Sequence, residues 1–318
     1  MQTPSTANYS GTGTQRVYDS FVANGTQKIL EIMDYAGAAT SFLVDNVEFR
    51  EVVADRSVNN NGLNIVGNVT KSAVATGAEL VGYGGFSNSG NYIKQPYNSD
   101  LTFGTGDFSI MFWGKDSATA SDHMIERANS ARSLVSFYVT GSGSDYRLNV
   151  PSNLGTSYVS AGGSRGSDIW EQLVFTRKDG VLYAYRNGEL QNTDEHPHPL
   201  NTDGTEELYV GIAANISSSS GGLDLALLRI SATAPTPEQI AKIYRDEKPL
   251  FQEGAKCTLS GTTDNVYALD YDEDMEILHV GTLNDRDEFK GLQRVKENDV
   301  EGTLTVAISA VNGLVVEE

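Results

Sequence analysis

Apolar and polar residues alternate along most of this chain, in short runs separated by Gly, Asn, Asp and Ser. The stretch WEQLVFTRKDGVLYAYRNGEL, residues 170–190, shows the pattern plainly. Its flanks 173–176 and 182–185 are mostly β-branched or aromatic, the composition of half-buried strands. Asp179-Gly180 and Asn187-Gly188 tolerate positive φ at both central positions of a type I′ turn, whose twist matches that of the strands it joins. The segment predicts three antiparallel strands joined by two hairpins. In GDFSIMFWGK, residues 106–115, Phe108, Ile110 and Phe112 point one way and Met111 and Trp113 the other. Both sets are apolar, which predicts a strand covered on both faces.

Further strands are predicted at 134–140, 146–150, 157–161, 208–213 and 223–232, the spacing of a two-sheet sandwich. One helix stands out in APTPEQIAKIYRDEKPLF. Thr236 caps it, Pro237 takes the first helical position and Glu238 lies in the first turn. Ile240, Ile243 and Tyr244 make its apolar stripe, and Pro249 ends it. The expectation is an all-β chain: an antiparallel β-sandwich over 56–250 with one C-terminal helix, flanked by small β modules at 1–55 and 251–318. Residues 1–55 hold strand-like runs at 15–22, 27–34 and 41–53, too little chain for an independent sandwich. Residues 56–75 read as an Asn-rich lead-in. NVYALDYDEDMEILHVGT reads as strand, acidic turn, strand, and the tail GTLTVAISAVNGLVVEE is apolar and β-prone. The partial module and the tail both need burial that one chain does not supply, which predicts a homo-oligomer.

Charge narrows the partners. With 42 Asp and Glu against 23 Lys and Arg, the formal charge is −19, which repels nucleic acid and anionic membrane surfaces. No run reaches the roughly 20 apolar residues of a membrane helix, and the N-terminus lacks the basic start and apolar core of a signal peptide. The sequence thus predicts a protein that is cytosolic when made, or part of a particle assembled there. The single cysteine, Cys257, leaves no intrachain disulfide and reads as an inert thiol.

Candidate chemistry is sparse. Asp270, Asp272, Asp274 and Glu276 alternate, and three readings stay open. They form a solvated acidic turn, a calcium site on Asp270, Asp272 and Asp274, or a pair of catalytic acids. His196 and His198, two apart in DEHPHP, face the same way if extended, and could meet on an oligomer axis to hold iron or zinc; a plain exposed loop is the alternative. His123 and His279 have no triad partners, there is no Gly-x-Ser-x-Gly elbow, and GTGTQ and GTGDFS lack the lysine and helix of a phosphate loop. Sugar binding calls for exposed aromatic rings. Tyr92, Tyr97, Tyr146 and Tyr158 are the candidates, in loops 87–99, 141–146 and 150–165; loop 194–204 has a similar composition.

Residues 57–250 resemble the concanavalin A-like lectin/glucanase superfamily in its laminin-G-like branch, a jelly-roll sandwich. The matching pieces are GDFSI through Trp113, WEQLV from Trp170, LYAYRNG from Leu182, GLDLALLRI from Gly222 and PEQI from Pro237. The resemblance implies that Trp113 and Trp170 are core, and suggests rim-loop calcium positions at Asp122, Asp145 and Asp203. It implies no catalysis, because the alternating catalytic carboxylates of the glucanases are absent from the sandwich. The run SFLVDNVEFREV resembles the closing strand of a jelly-roll carbohydrate-binding module, and 265–282 one hairpin of a propeller blade. The combination resembles phage virion fibre or appendage proteins. It implies a homotrimer in the virion, bound to other virion proteins, that attaches to host surface polysaccharide. A capsid decoration or head-fibre protein with a structural sandwich is the alternative, and a polysaccharide-degrading enzyme the second.

Overall fold

The computed structural model describes residues 52–53, 61–117, 122–143, 145–152, 155–163, 165–260, 265–283, 285–299, 309–311 and 314–316. In chain order the elements are β1 (Val52–Val53), β2 (Leu63–Val66), β3 (Thr70–Ala73), β4 (Val81–Gly84), β5 (Tyr92–Gln95), β6 (Phe108–Asp116) and β7 (Asp122–Ala128). Then come β8 (Val135–Ser142), β9 (Asp145–Ser152), β10 (Gly155–Ser160), β11 (Trp170–Lys178), β12 (Val181–Arg186), β13 (Glu189–Glu195), β14 (Glu207–Val210), β15 (Leu223–Ser231) and α1 (Pro237–Glu247). The C-terminal part holds β16 (Ala268–Asp272), β17 (Ile277–Gly281), β18 (Asp285–Lys290), β19 (Gln293–Asp299), β20 (Ser309–Val311) and β21 (Leu314–Val316).

Two antiparallel sheets form the sandwich. One runs β1-β2-β5-β14-β7-β8-β9-β10, the other β13-β12-β11-β6-β15-β4-β3. Alternate residues of both point inward: Phe108, Ile110, Phe112, Leu173 and Phe175 from one sheet meet Ile125, Phe137, Val139, Leu148 and Val159 from the other. Among the described residues the chain forms the expected antiparallel β-sandwich with one α-helix. The paired hairpins of 170–190 are β11, β12 and β13, with φ of +51° and +78° at Asp179 and Gly180 and +52° and +82° at Asn187 and Gly188. Gly188 is also a close approach: a Cβ there would sit 3.2 Å from the Ala241 Cα of the helix.

β6 is buried on both faces, as its pattern predicts. On its outer side Met111 packs with Val174, Tyr185 and Ile240 of α1. Trp113 stacks on Phe251 at 4.1 Å and Tyr244 at 5.7 Å. Its indole N–H donates to Glu247 Oε2 at 2.7 Å, and Arg229 pairs with the same carboxylate at 2.5 Å. Trp170 donates to the Val74 carbonyl at 2.9 Å. The helix carries a reciprocal capping box between Thr236 and Gln239 and ends at Glu247. Pro249 lies two residues later, inside a 3-10 turn at Lys248–Phe251, because a proline without an N–H is tolerated at a helix start.

Two expectations need correction, and a third lies outside the described residues. The lead-in 56–75 contains β2, an apolar run of four residues next to the Asn cluster, and β3, whose polar side chains hide its strand character. The C-terminal hairpin is half of a four-stranded meander, β16-β17-β18-β19. The runs at 15–22 and 27–34 lie outside the described residues, as does 41–53 apart from β1. The meander is tied to the sandwich by Glu79, which accepts from the N–H groups of Cys257 and Thr258 at 2.9 Å and from the Thr258 hydroxyl at 2.7 Å, with Arg294 at 3.3 Å. Burial alone would raise the Glu79 carboxyl; these donors and Arg294 outweigh it and hold the pKa at about 2.

The Trp113–Glu247–Arg229 contact generates a prediction. Glu247→Ala leaves an indole N–H and a guanidinium beneath the helix without their carboxylate. Thermal or denaturant unfolding should show a loss of about 2 kcal/mol, the cost of leaving the buried indole N–H without its acceptor while the half-exposed Arg229 turns to water.

Candidate functional site

With helix α1 over the seven-stranded sheet, the outer face of the eight-stranded sheet carries polar and aromatic side chains, exposed or half-exposed on β8 to β10 and buried at Glu126 and Tyr209. Strand register aligns them in one row. Tyr158 of β10 lies opposite Asn149 of β9, Asn149 opposite Tyr138 of β8, Tyr138 opposite Glu126 of β7, Glu126 opposite Tyr209 of β14, and Tyr209 opposite Lys94 of β5. The next row holds Ser160, Arg147, Thr140 and His123. Each outward residue of β8 to β10 alternates with a core residue such as Phe137, Leu148 or Val159.

The β8–β10 end of this face is open. Tyr158 is 53% exposed. The Arg147 guanidinium lies 5.6 Å from its ring centre and is held by Asp145 at 2.7 Å. Asn149 donates to the Thr140 hydroxyl at 3.2 Å. Beside them Arg132 lies 5.3 Å from the Tyr138 ring, pairs with Glu126 at 2.6 Å and reaches His123 Nε2 at 2.8 Å. Burial first, and Arg132 second, hold the His123 imidazole down at about 4, so at neutral pH it is uncharged and accepts from Arg132. Planar rings, an amide, hydroxyls and a charged pair thus share one shallow surface.

The tyrosine candidates separate. Tyr158 lies on this face. Tyr92 lies on the same face at its far end, packed 6.2 Å from the Tyr209 ring and half-buried. Tyr97 is 42% exposed in the segment after β5, with Arg127 5.8 Å from its ring. Tyr146 is corrected: it sits in the core at 1% exposure, because β9 begins at Asp145 and turns it inward. The loops 87–99, 141–146 and 150–165 include β5, the β8–β9 turn and β10, so much of the expected rim is sheet.

The metal candidates do not converge. Among the described residues no group of three His, Cys, Asp or Glu side chains gathers to hold an ion. Asp272 instead accepts from the N–H groups of Asp274 and Met275 at 3.0 Å, fixing the β16–β17 turn, and Asp270 stands exposed on β16. Asp122 is not in a loop: it starts β7, is buried, and pairs with Arg165 at 3.1 Å, which also holds Asp116 at 2.7 Å. Burial pushes the Asp122 carboxyl up to about 6, Arg165 opposing and Asp116 adding to the rise. Asp145 starts β9 and holds Arg147, and Asp203 accepts from Thr205. His196 and His198 do not share an outward face. His196 is fully buried, bonded to the Ser157 hydroxyl at 3.1 Å, with the His198 ring perpendicular and 6.0 Å away. Trp113 and Trp170 lie under the helix and the Phe251 turn.

Sequence reading missed Arg147, Asn149, Thr140 and Tyr138. The alternation Arg147-Leu148-Asn149-Val150 carried their signal, since it marks one wet and one dry face.

The two buried histidines set a pH dependence. Burial, then Arg177 and His198, hold His196 at about 4. Both imidazoles titrate below the ordinary 6.5, so the unfolded chain binds more protons between about 4 and 6.5, and stability falls as pH is lowered through that window. Asp122, raised to about 6, contributes the opposite sign from one group only. Melting temperatures recorded across this window should fall toward acid, and His196→Gln should flatten the slope.

Residues 87–241 match the model of the family Laminin_G_3, described as the concanavalin A-like lectin/glucanases superfamily. No curated protein matches the chain. Among solved structures, the binding domain of Paraclostridial Mosquitocidal Protein 1 is similar at TM-score 0.51 and 11% identity, over 73% of this chain and 62% of that one. The receptor binding domain of botulinum neurotoxin C/D mosaic serotype is similar at 0.50 and 15%, over 74% and 59%. The botulinum neurotoxin serotype G binding domain gives 0.51 and 11%, over 78% and 63%. The chain spans about three-fifths of the length of these structures, and at such identities the likeness is one of fold. All three are toxin binding domains; none is a phage fibre. Over residues 87–241 the sandwich is similar to the concanavalin A-like lectin/glucanases superfamily, and its antiparallel two-sheet fold is consistent with that family.

Proposed function

We propose that this chain is a non-catalytic recognition subunit that contacts host surface glycan through the outer face of β8 to β10, as part of a virion fibre or appendage. The observation that carries the reading is the exposed Tyr158 ring with Arg147, Asp145, Asn149 and Thr140 around it. A pyranose has an apolar face that covers an aromatic ring, and hydroxyls at its rim that exchange hydrogen bonds with amide, guanidinium and carboxylate groups. The toxin binding domains of like fold support a binding role by analogy of architecture. The fibre placement rests on the combination of modules read from the sequence.

The absence of catalysis is supported by what the sandwich does with its carboxylates. Glycoside hydrolysis needs two acids flanking an open groove. The buried acids Asp116, Asp122, Glu126, Glu206 and Glu247 each face an arginine instead. An arginine beside a carboxylate favours its ionised form and opposes the raised pKa of a general acid. Asp122, which burial pushes up to about 6, is closed in with Arg165.

Binding of the full-length protein to host polysaccharide or a glycan array tests the reading. Tyr158→Ala should weaken binding roughly tenfold, about 1.4 kcal/mol, with the melting transition nearly unmoved, as for exposed positions. Tyr146→Ala should cost about 3 kcal/mol of folding stability. Binding unchanged by Tyr158→Ala combined with Arg147→Ala overturns the site. An intact protein that binds no glycan favours the capsid-decoration reading.

A further inference from the structure

The meander β16-β17-β18-β19 has two unequal edges. On β19 the Arg294 N–H donates to the Lys256 carbonyl at 2.9 Å, so the chain itself covers part of that edge. β16 is the other edge, with no strand beside it among the described residues. Its residues 268–271 are all exposed. One face of the β16–β17 hairpin is apolar: Leu269 lies opposite Val280, and Tyr271 opposite Leu278, before Asp287 and Phe289 continue the two rows on β18. Val280 is covered, while Tyr267, Leu269 and Tyr271 at the edge are 64%, 66% and 54% exposed. An open edge with a row of large apolar side chains is a template for strand pairing.

The charges on β16 decide what fits. Asp270 and Asp272 project on the other face and are the strand's only charged residues. Consider β16 paired antiparallel with β16 of a second copy about a two-fold axis. Centred on Asp270, the pairing opposes Asp270 to Asp270. Centred on Tyr271, it opposes Asp270 to Asp272 twice. Like charges directly opposite are destabilising. Centred on Leu269, it opposes Leu269 to Leu269, Tyr267 to Tyr271 and Ala268 to Asp270, so no like charges face one another. The same register joins the two apolar rows of Tyr267, Leu269 and Tyr271 into one.

We infer that β16 is a self-association edge, pairing two copies of this chain antiparallel about Leu269 and extending the meander across a two-fold axis. This contact is independent of the glycan face and differs from a three-fold fibre axis. The net charge of −19 opposes it at low salt, and screening relieves that repulsion, so association tightens as salt is added.

Sedimentation of the full chain and disulfide trapping test the inference. The protein should dimerise at micromolar concentration, more tightly in higher salt. Leu269→Lys, which sets two like charges face to face, should weaken the dimer at least about tenfold. It should leave the sandwich's melting transition in place. In a Cys257→Ser background, Leu269→Cys should form an interchain disulfide under mild oxidation, because cross-strand Cα separations of about 4.5–5.5 Å suit that bond. Tyr271→Cys should not, since Tyr271 faces Tyr267 in this register. A wild-type chain that stays monomeric at all salt concentrations overturns the inference. So does equal trapping at both positions, or an edge that captures only a basic strand of another protein, in a complex weakened by salt.

Discussion

Everything in this molecule hangs on β6 being dry on both sides. Its inward residues Phe108, Ile110 and Phe112 complete the core, and its outward Met111 and Trp113 demand a second cover. Helix α1 supplies it, and the bond from the Trp113 indole to Glu247 fixes where the helix ends against the sheet. The seven-stranded sheet therefore has no free central face. The outer face of the opposite sheet, where the proposed recognition surface lies, leaves half-exposed side chains of β8 to β10 in solvent.

Burying so many acids in a chain of charge −19 requires a second device. Arginines serve it. Arg165 spans Asp116 and Asp122, Arg132 meets Glu126, and Arg127 lies 3.7 Å from Glu206 while its guanidinium donates to the Leu101 carbonyl and the Thr102 hydroxyl. These planar groups satisfy several acceptors each, which a lysine point charge does not. They pin loop ends to the sandwich. The same economy leaves Arg147 and Asp145 paired but half-exposed on the outer face.

How much was legible followed from how local the determinants are. β11 to β13 could be read because Asp-Gly and Asn-Gly fix the turns within a few residues. The helix could be read because its cap, proline and stripe are contiguous. β3 could not, since Thr70-Lys71-Ser72-Ala73 has no apolar face and is a strand only because it pairs with β4. Nor could β18 and β19, whose charged residues look like surface loop. Tyr146 was misplaced because Gly143 and Asp145 suggest a long loop where the chain makes a tight hairpin. His196 sits between residues that read as a solvated turn, yet tertiary packing against Ser157 encloses it. The Tyr158 to Lys94 row joins strands far apart in sequence, and register across them is a property of the folded sheet.

That row limits how this surface can diverge among descendants. A side chain in a strand belongs to one face by parity alone, so inserting or deleting one residue in β9 would carry Arg147 and Asn149 into the core and Leu148 and Val150 into water. Loop-borne sites change by length. A recognition surface on β8 to β10, as proposed, changes by substitution at every second position, so a lineage shifting its preference would keep strand lengths constant while its outward residues vary.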